Sequence, residues 1–480
     1  MRTNLKAKLL TAEGGCAGVI NAEQQLLRCV MSCLLFEGEF YEDGATIAER
    51  IKTLAHTVSA DFLASTAIKA RSEMHLRHVP LYLVNELSRH KGHSKFPKLV
   101  QDTLYTVIQR ADELAEFLAI YWAEGRHPLS AQVKKGLSRA FNKFSEYDFA
   151  KYNRDGYVKL RDALFVCHAK PADVSPFQPV LNKNARKRIA EQLAVGDTAE
   201  LVGLRPSFLS PKERLFGKLV AGDLDTPDTW ETNLSAGADK ATTFKRLMME
   251  NKLGGLAFLR NLRNMSEAGV NKAEVRDYAG RKTFGRVLPF RFLAAARHVP
   301  QWEDIIEPLM MKCISGHAKL VGHTVLLVDV SGSMQAPLSV KSQMQRLDAA
   351  YGLAVLLREI CADISIFTFS DLTVHCAPRR GFALRDLLER SQIHNGTYLS
   401  RSLSDLSTHR VDYDRIIVIT DEQTHDGILP PLGRGYVINV ASAANGVGYG
   451  PWMHIDGFSE SVIDYIIAYE SAFFCPANQP

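Results

Sequence analysis

The 480-residue sequence predicts a mostly α-helical protein that ends in an α/β domain. Three observations carry that prediction. As far as about residue 310, apolar residues recur at i, i+3, i+4 and i+7, the period of amphipathic helices. Past Gly322 the pattern changes to short apolar runs alternating with helical stretches, as in a mostly parallel sheet covered on both faces. The charge changes with it: residues 318–480 hold 12 Lys+Arg against 17 Asp+Glu, and the remainder holds 46 against 36. A chain of this length, 46% apolar, suits two or three cores.

Helices are expected over residues 46–70, 80–90, 98–124, 129–150 and 241–265. Lys91-Gly92-His93, 125–128 and 222–227 punctuate them, because glycine and proline interrupt helices. Helix pairs of roughly 40 residues suggest an α-solenoid, in which each pair buries its apolar face on its neighbours. The units share no fixed signature, so an irregular helical bundle is the alternative. In the second part, strands are expected at 323–329, 364–369, 415–420 and 436–441. Helices are expected at 344–361, 382–390 and 460–469. The division is placed at 1–315 and 316–480.

No run of 18 apolar residues indicates a membrane span, and the basic N-terminus lacks the apolar core of a secretory signal. The eight cysteines (Cys16, Cys29, Cys33, Cys167, Cys313, Cys361, Cys376 and Cys475) form no Cys-x-x-Cys pair. They read as buried reduced thiols of a cytoplasmic protein.

In a parallel sheet, ligands gather at the carboxyl ends of the strands. Asp329, Ser331 and Ser333 follow the first strand, Asp421 ends the strand at 415–420, and Thr397 lies on a connection between them. Two carboxylates and three hydroxyls are hard oxygen donors. They suit one divalent cation, Mg²⁺ first and Mn²⁺ or Ca²⁺ after it. The competing reading makes Ser331, Ser333 and Asp421 helix caps. The set resembles the metal-ion-dependent adhesion site of von Willebrand factor A domains, with Asn395-Gly396-Thr397 where that family has Gly-Gly-Thr. An Asp-x-Asp nucleophile, a Gly-x-Ser-x-Gly elbow and a phosphate-binding Gly-Lys loop are all missing, so binding is expected and catalysis is not.

Residues 134–188 hold 13 basic against 5 acidic side chains. Lys135, Arg139 and Lys143 recur every four residues, with Lys134 beside them and Val133, Leu137, Phe141 and Phe144 opposite. Lys151, Arg154, His168 and Lys170 follow. Such a row suits a polyanion, by neutralising phosphates and releasing their counterions. An ordinary solvated face is the bland reading, with Phe141, Phe144, Tyr147 and Tyr152 either core or base-stacking. His90 and His93 invite a metal but suit a solvated or phosphate-facing loop better.

Family resemblance favours the polyanion. Lys134-Lys-Gly-Leu-Ser-Arg-Ala-Phe, Phe149-Ala-Lys-Tyr and Ala163-Leu-Phe-Val-Cys-His-Ala-Lys-Pro resemble the TROVE domain of Ro autoantigen proteins and their bacterial relatives. Thr229-Trp-Glu, Leu234-Ser-Ala-Gly, Leu259-Arg-Asn-Leu-Arg-Asn and Leu288-Pro-Phe extend the resemblance over most of the chain. It implies a HEAT-like α-helical repeat ring followed by a Rossmann-like von Willebrand factor A domain. It further implies small structured non-coding Y-type RNA on the outer basic surface, and single-stranded ends of misfolded RNA in a central cavity. An exoribonuclease tethered through that RNA, a role in RNA quality control and a monomer complete the expectation. Lys151, Arg154 and His168 match the family's Y RNA contacts, although the segment 152–156 is one residue shorter than the vertebrate pattern. The reading from another class is a metal-dependent protein-interaction module.

Overall fold

The computed structural model describes residues 21–32, 44–74, 76–153, 156–173, 210–284, 287, 289–315, 319–338, 344–441, 446–448, 450–456, 466 and 470. They pack into two compact units, one of residues 55–228 and the other of residues 1–54 with 229–480. The expected division at 315 marks instead where helices give way to strands, between Ile314 and Leu320.

The unit of residues 55–228 is helical: α3 (Ala60–Ser72), α4 (His78–Arg89), α5 (Leu99–Val107), α6 (Asp112–Tyr121), α7 (Ala131–Phe141), α8 (Glu146–Tyr152), α9 (Leu160–Val166) and α10 (Pro211–Ala221). Helix α3 packs on α5, α5 on α7, and α4 on α6. Alternate helices thus form two layers, the arrangement of stacked two-helix repeats. Helices α3, α5 and α7 begin at residues 60, 99 and 131, a spacing close to the expected repeat.

Each long helix expected from the sequence here is two helices. Residues 46–70 break before Ser59, whose hydroxyl accepts from the Phe62 N–H and caps α3. Residues 129–150 break between Phe141 and Glu146, where Ser145 and Asp148 form a reciprocal capping box for α8. Across the second break Phe141 and Phe149 stack with ring centres 6.0 Å apart, so α7 and α8 face one core. Periodicity therefore hides the break, and the caps reveal it.

The other unit opens with α1 (Ala22–Ser32) and α2 (Gly44–Ala55). It resumes with α11 (Trp230–Ser235), α12 (Lys240–Met249), α13 (Gly255–Glu267), α14 (Lys272–Arg281), α15 (Pro289–His298) and α16 (Glu303–Ile314). The expected helix over 241–265 is again two, parted by Asn251 in the left-handed region (φ 56°). Contacts again skip one helix, α12 with α14, α14 with α16 and α13 with α15.

The α/β chain follows: β1 (Leu320–Asp329), α17 (Arg346–Ile360), β2 (Cys361–Phe369), β3 (Thr373–Cys376), α18 (Gly381–Glu389), α19 (Leu399–Thr408), β4 (Arg415–Thr420), β5 (Arg434–Asn439) and β6 (Met453–Asp456). The sheet order is β3-β2-β1-β4-β5-β6, parallel except for β3. Leu326 and Val328 point into a core shared with helices of residues 240–314, while Val325 and Leu327 point at Leu399, Leu403 and Leu406 of α19. Both faces are covered, as the apolar runs require. Three elements escaped the sequence reading. Helix α19 is serine-rich with three buried leucines, and β3 and β6 have only four residues each. The expected helix over 460–469 falls mainly outside the described residues.

Candidate metal centre and nucleic-acid interface

The sheet order reverses direction between β1 and β4, the crevice where open parallel sheets bind ligands. Asp329 ends β1 and Asp421 follows β4, so both carboxylates stand at this switch point, fully buried. Asp329 accepts from the Ser331 N–H (2.9 Å) and from the Thr420 hydroxyl (2.5 Å). Burial, and then the charge of Asp421, push the Asp329 carboxyl well above the usual carboxylate range. The Arg346 guanidinium, at the start of α17 and itself buried, lies 3.4 Å from Asp421.

Ser331 occupies the N-cap position of the short turn Gly332–Gln335, yet its side chain makes no capping hydrogen bond. Its hydroxyl lies 3.2 Å from that of Ser333 instead. The helix-cap reading of Ser331 therefore fails. Thr397 is buried on a loop held by Asp371, which accepts from the Gly396 N–H (3.1 Å) and the Asn395 amide (2.9 Å). His425 meets the Thr397 backbone at 3.2 Å and stacks on Tyr398, a positioning role for a histidine close to Asp421. Two like-charged carboxylates buried beside hydroxyls form a donor set that fits a hard divalent cation. Thr420 and Arg346 are the members that sequence reasoning missed. Thr420 was visible as the end of an apolar strand, whereas nothing in the sequence marks Arg346.

The basic stretch divides into engaged and available cations. Arg139 pairs with Asp102 (2.5 Å) and lies over the Tyr105 ring. Lys143 stands beyond the end of α7, where its ammonium donates to the carbonyls of Tyr105 and Ile108, the latter at 2.7 Å. There it satisfies the C-terminal end of α5, and desolvation lowers its pKa to about 8. Lys134, Lys135 and Lys170 have no side-chain hydrogen bond or ion pair among the described residues; Lys135 and Lys170 are exposed and Lys134 half-buried. Lys151, on α8, lies 5.5 Å from the Tyr147 ring and 5.6 Å from that of Tyr152. Arg154 lies outside the described residues. Phe141 and Phe144 are core, while Tyr147 is 48% exposed and could stack on a base.

His168 is exposed, with φ 54°. It ends α9 in a left-handed cap, with the Ala169 N–H donating to Leu164 O and its own N–H to Phe165 O. Asn142 then ties the following segment to α7, donating to Lys170 O (2.9 Å) and accepting from the Ala172 N–H (2.8 Å). His90 is spent locally: its Nε2 lies 3.1 Å from Val58 O and its Nδ1 accepts from the Gly92 N–H at 3.0 Å. Among the described residues, no three His, Cys, Asp or Glu side chains gather as a ligand cluster.

Residues 209–345 match the TROVE domain model. That part of the chain is similar to the TROVE domain. The match takes in Thr229-Trp-Glu, Leu234-Ser-Ala-Gly, Leu259-Arg-Asn-Leu-Arg-Asn and Leu288-Pro-Phe. It begins after the passages at 134–171 and runs through β1 to the Asp329 loop. The crystal structure of the Deinococcus radiodurans RO (RSR) protein is similar to this chain, with a TM-score of 0.55 at 17% identity. That likeness covers 94% of this chain and 100% of the other. The chain thus shares the fold of that protein, with helices followed by a six-stranded α/β part. No helix among its described residues is long and apolar enough to cross a membrane.

Proposed function

We propose that this protein is a non-catalytic RNA-binding component of a Ro-like ribonucleoprotein. Its ligand is a small structured RNA of the Y type, held by Lys134, Lys135, Lys151, His168 and Lys170. The observation that carries the reading is a match to the TROVE domain on a chain whose helical unit keeps three of those ammonium groups without side-chain partners among the described residues. Single-stranded ends of misfolded RNA are the second ligand class, and an exoribonuclease recruited through the bound RNA would make the process RNA quality control in the cytoplasm. The protein acts as a monomer on this reading.

Affinity for a structured small RNA, measured against salt, tests it. The wild type should bind below micromolar and weaken steeply with salt, because each phosphate contact releases counterions. Lys151→Ala with His168→Ala should lower affinity at least tenfold, on the order of 1.4 kcal/mol. Equal binding by the double variant would move the RNA surface elsewhere.

The α/β domain takes one divalent cation on this proposal, held by Asp329, Asp421, Ser331, Ser333 and Thr397. The bound ion would supply positive charge for a carboxylate donor. A metal-dependent protein-interaction module is the second reading, favoured by Leu372 (58% exposed) and Ile393 (76% exposed) on the loops beside Asp371 and Asn395. Mg²⁺ at a hundred times its dissociation constant should stabilise the folded chain by about 2.7 kcal/mol. Asp329→Ala should abolish that gain; a thermal shift equal in both proteins would place the ion elsewhere.

A further inference from the structure

Arg346 puts a cation inside the donor set of the candidate metal centre. Its side chain is 1% exposed, and arginine is almost never fully buried without an anionic partner. It is also the first residue of α17, just after the N-cap Gln345, where the partial positive charge of a helix N-terminus disfavours a cation. Burial and helix position both oppose a guanidinium here, so an anion has to hold it. That anion is Asp421, whose Oδ2 lies 3.4 Å from the Arg346 Nη1.

The backbone fixes this placement. The Arg346 N–H donates to Ala336 O at 3.0 Å, and the Ala336 N–H donates to Ser333 O at 3.2 Å. The Leu338 N–H donates to Met344 O at 2.8 Å, which draws the two sides of the loop together. The Gln345 N–H donates to the buried Asp348 carboxylate at 2.7 Å, and Arg297 of α15 pairs with that carboxylate at 2.7 Å. The start of α17 is thus tied to the Ser333 turn on one side and to α15 on the other.

The two carboxylates of the centre are served unequally. Asp329 accepts from a neutral N–H and a neutral hydroxyl. Asp421 accepts from the Gln423 N–H at Oδ1 (3.2 Å) and meets a full positive charge at Oδ2. A carboxylate offers about four lone-pair sites, so an ion and a guanidinium can share Asp421, and arginine does not lose its charge in proteins. Cation affinity follows the charge of the donors, and here a guanidinium offsets part of it.

We propose that Arg346 sets the affinity of this centre, as an internal cation that shares Asp421 with the divalent ion, weakens its binding and keeps it exchangeable. The inference rests on the metal reading and adds to it the residue that limits how tightly the ion is held.

The test titrates Mg²⁺ calorimetrically into the full chain as wild type, Arg346→Gln and Arg346→Lys. Arg346→Gln should bind Mg²⁺ more tightly by about tenfold, because a buried like charge beside the ion is removed. Arg346→Lys keeps the charge and should return the affinity towards that of wild type. With Ca²⁺ and Tb³⁺, ions of similar radius, the gain in Arg346→Gln should be larger for Tb³⁺, since repulsion scales with ionic charge. Thermal unfolding gives a second readout: without ions Arg346→Gln should melt below wild type, and Mg²⁺ should raise its melting temperature by more. Should that variant be unfolded without ions, Mg²⁺ restores it on this proposal. Unchanged or weaker binding by Arg346→Gln, no restoration by Mg²⁺, or equal gains for Ca²⁺ and Tb³⁺ overturns the proposal while the metal reading stands. Absence of Mg²⁺ binding in all three proteins, or wild-type binding by Asp329→Ala, overturns both.

Discussion

His168 carries a backbone conformation that suits glycine better than histidine. A left-handed residue with a Cβ costs about 1 kcal/mol relative to glycine, and here the position is exposed, so no packing demands the imidazole. His168→Gly should therefore raise stability in urea unfolding by about 1 kcal/mol while weakening binding of the structured RNA. A destabilised variant would show that the ring supports the fold. The sequence displayed His168 as an exit from an apolar run, but the left-handed cap is a matter of backbone geometry and was invisible there. The places of Asp329 and Asp421 at strand ends could be read from the apolar pattern, whereas Thr397 lies on a loop between α18 and α19 that no pattern marks. Arg139 and Lys143 were read as outward cations. What the sequence could not show is that Tyr105, Asp102 and the end of α5 lie across from them.

Helix α8 is only seven residues long and presents Lys151 from its last turn. A helix that short depends on its cap, since nucleation alone is unfavourable. Ser145→Ala removes the hydroxyl that accepts from the Asp148 N–H and should cost about 1 kcal/mol. It should also reduce RNA affinity through Lys151 without touching any contact residue. Normal affinity at lowered stability would separate α8 from the RNA surface. Element types were readable where the signal was long enough, because period 3.6 and wholly apolar runs are distinct signals. Element ends were not: residues 98–124 keep one apolar phase although Ile108 closes α5 and α6 starts only at Asp112. The opposite failure hid α19, where Ser400, Ser402 and Ser404 mask the stripe of Leu399, Leu403 and Leu406.

At the scale of the whole molecule, an ion pair among the described residues joins α1 to the far end of the sheet. Arg28, buried on α1, lies 3.3 Å from Glu422, which also meets His454 of β6 at 2.6 Å. Burial pushes the Glu422 carboxyl up, but the charges of Arg28 and His454, with the Gly448 N–H, outweigh it and hold it down at about 2. Arg28→Ala leaves that carboxylate buried beside fewer cations and should cost about 3–5 kcal/mol in urea unfolding. Arg28→Ala with Glu422→Gln should recover part of the loss; full additivity would mean that the two do not act as a pair. The pair spans 394 positions of chain. On a ribosome adding about 5–20 residues per second, α1 emerges roughly 20–80 seconds before its partner exists. Throughout that interval Arg28 has no Glu422 to pair with, although Cys29 can already meet Arg50 of α2, so the nascent chain carries that cation on α1 without its carboxylate until the strands around Glu422 are made.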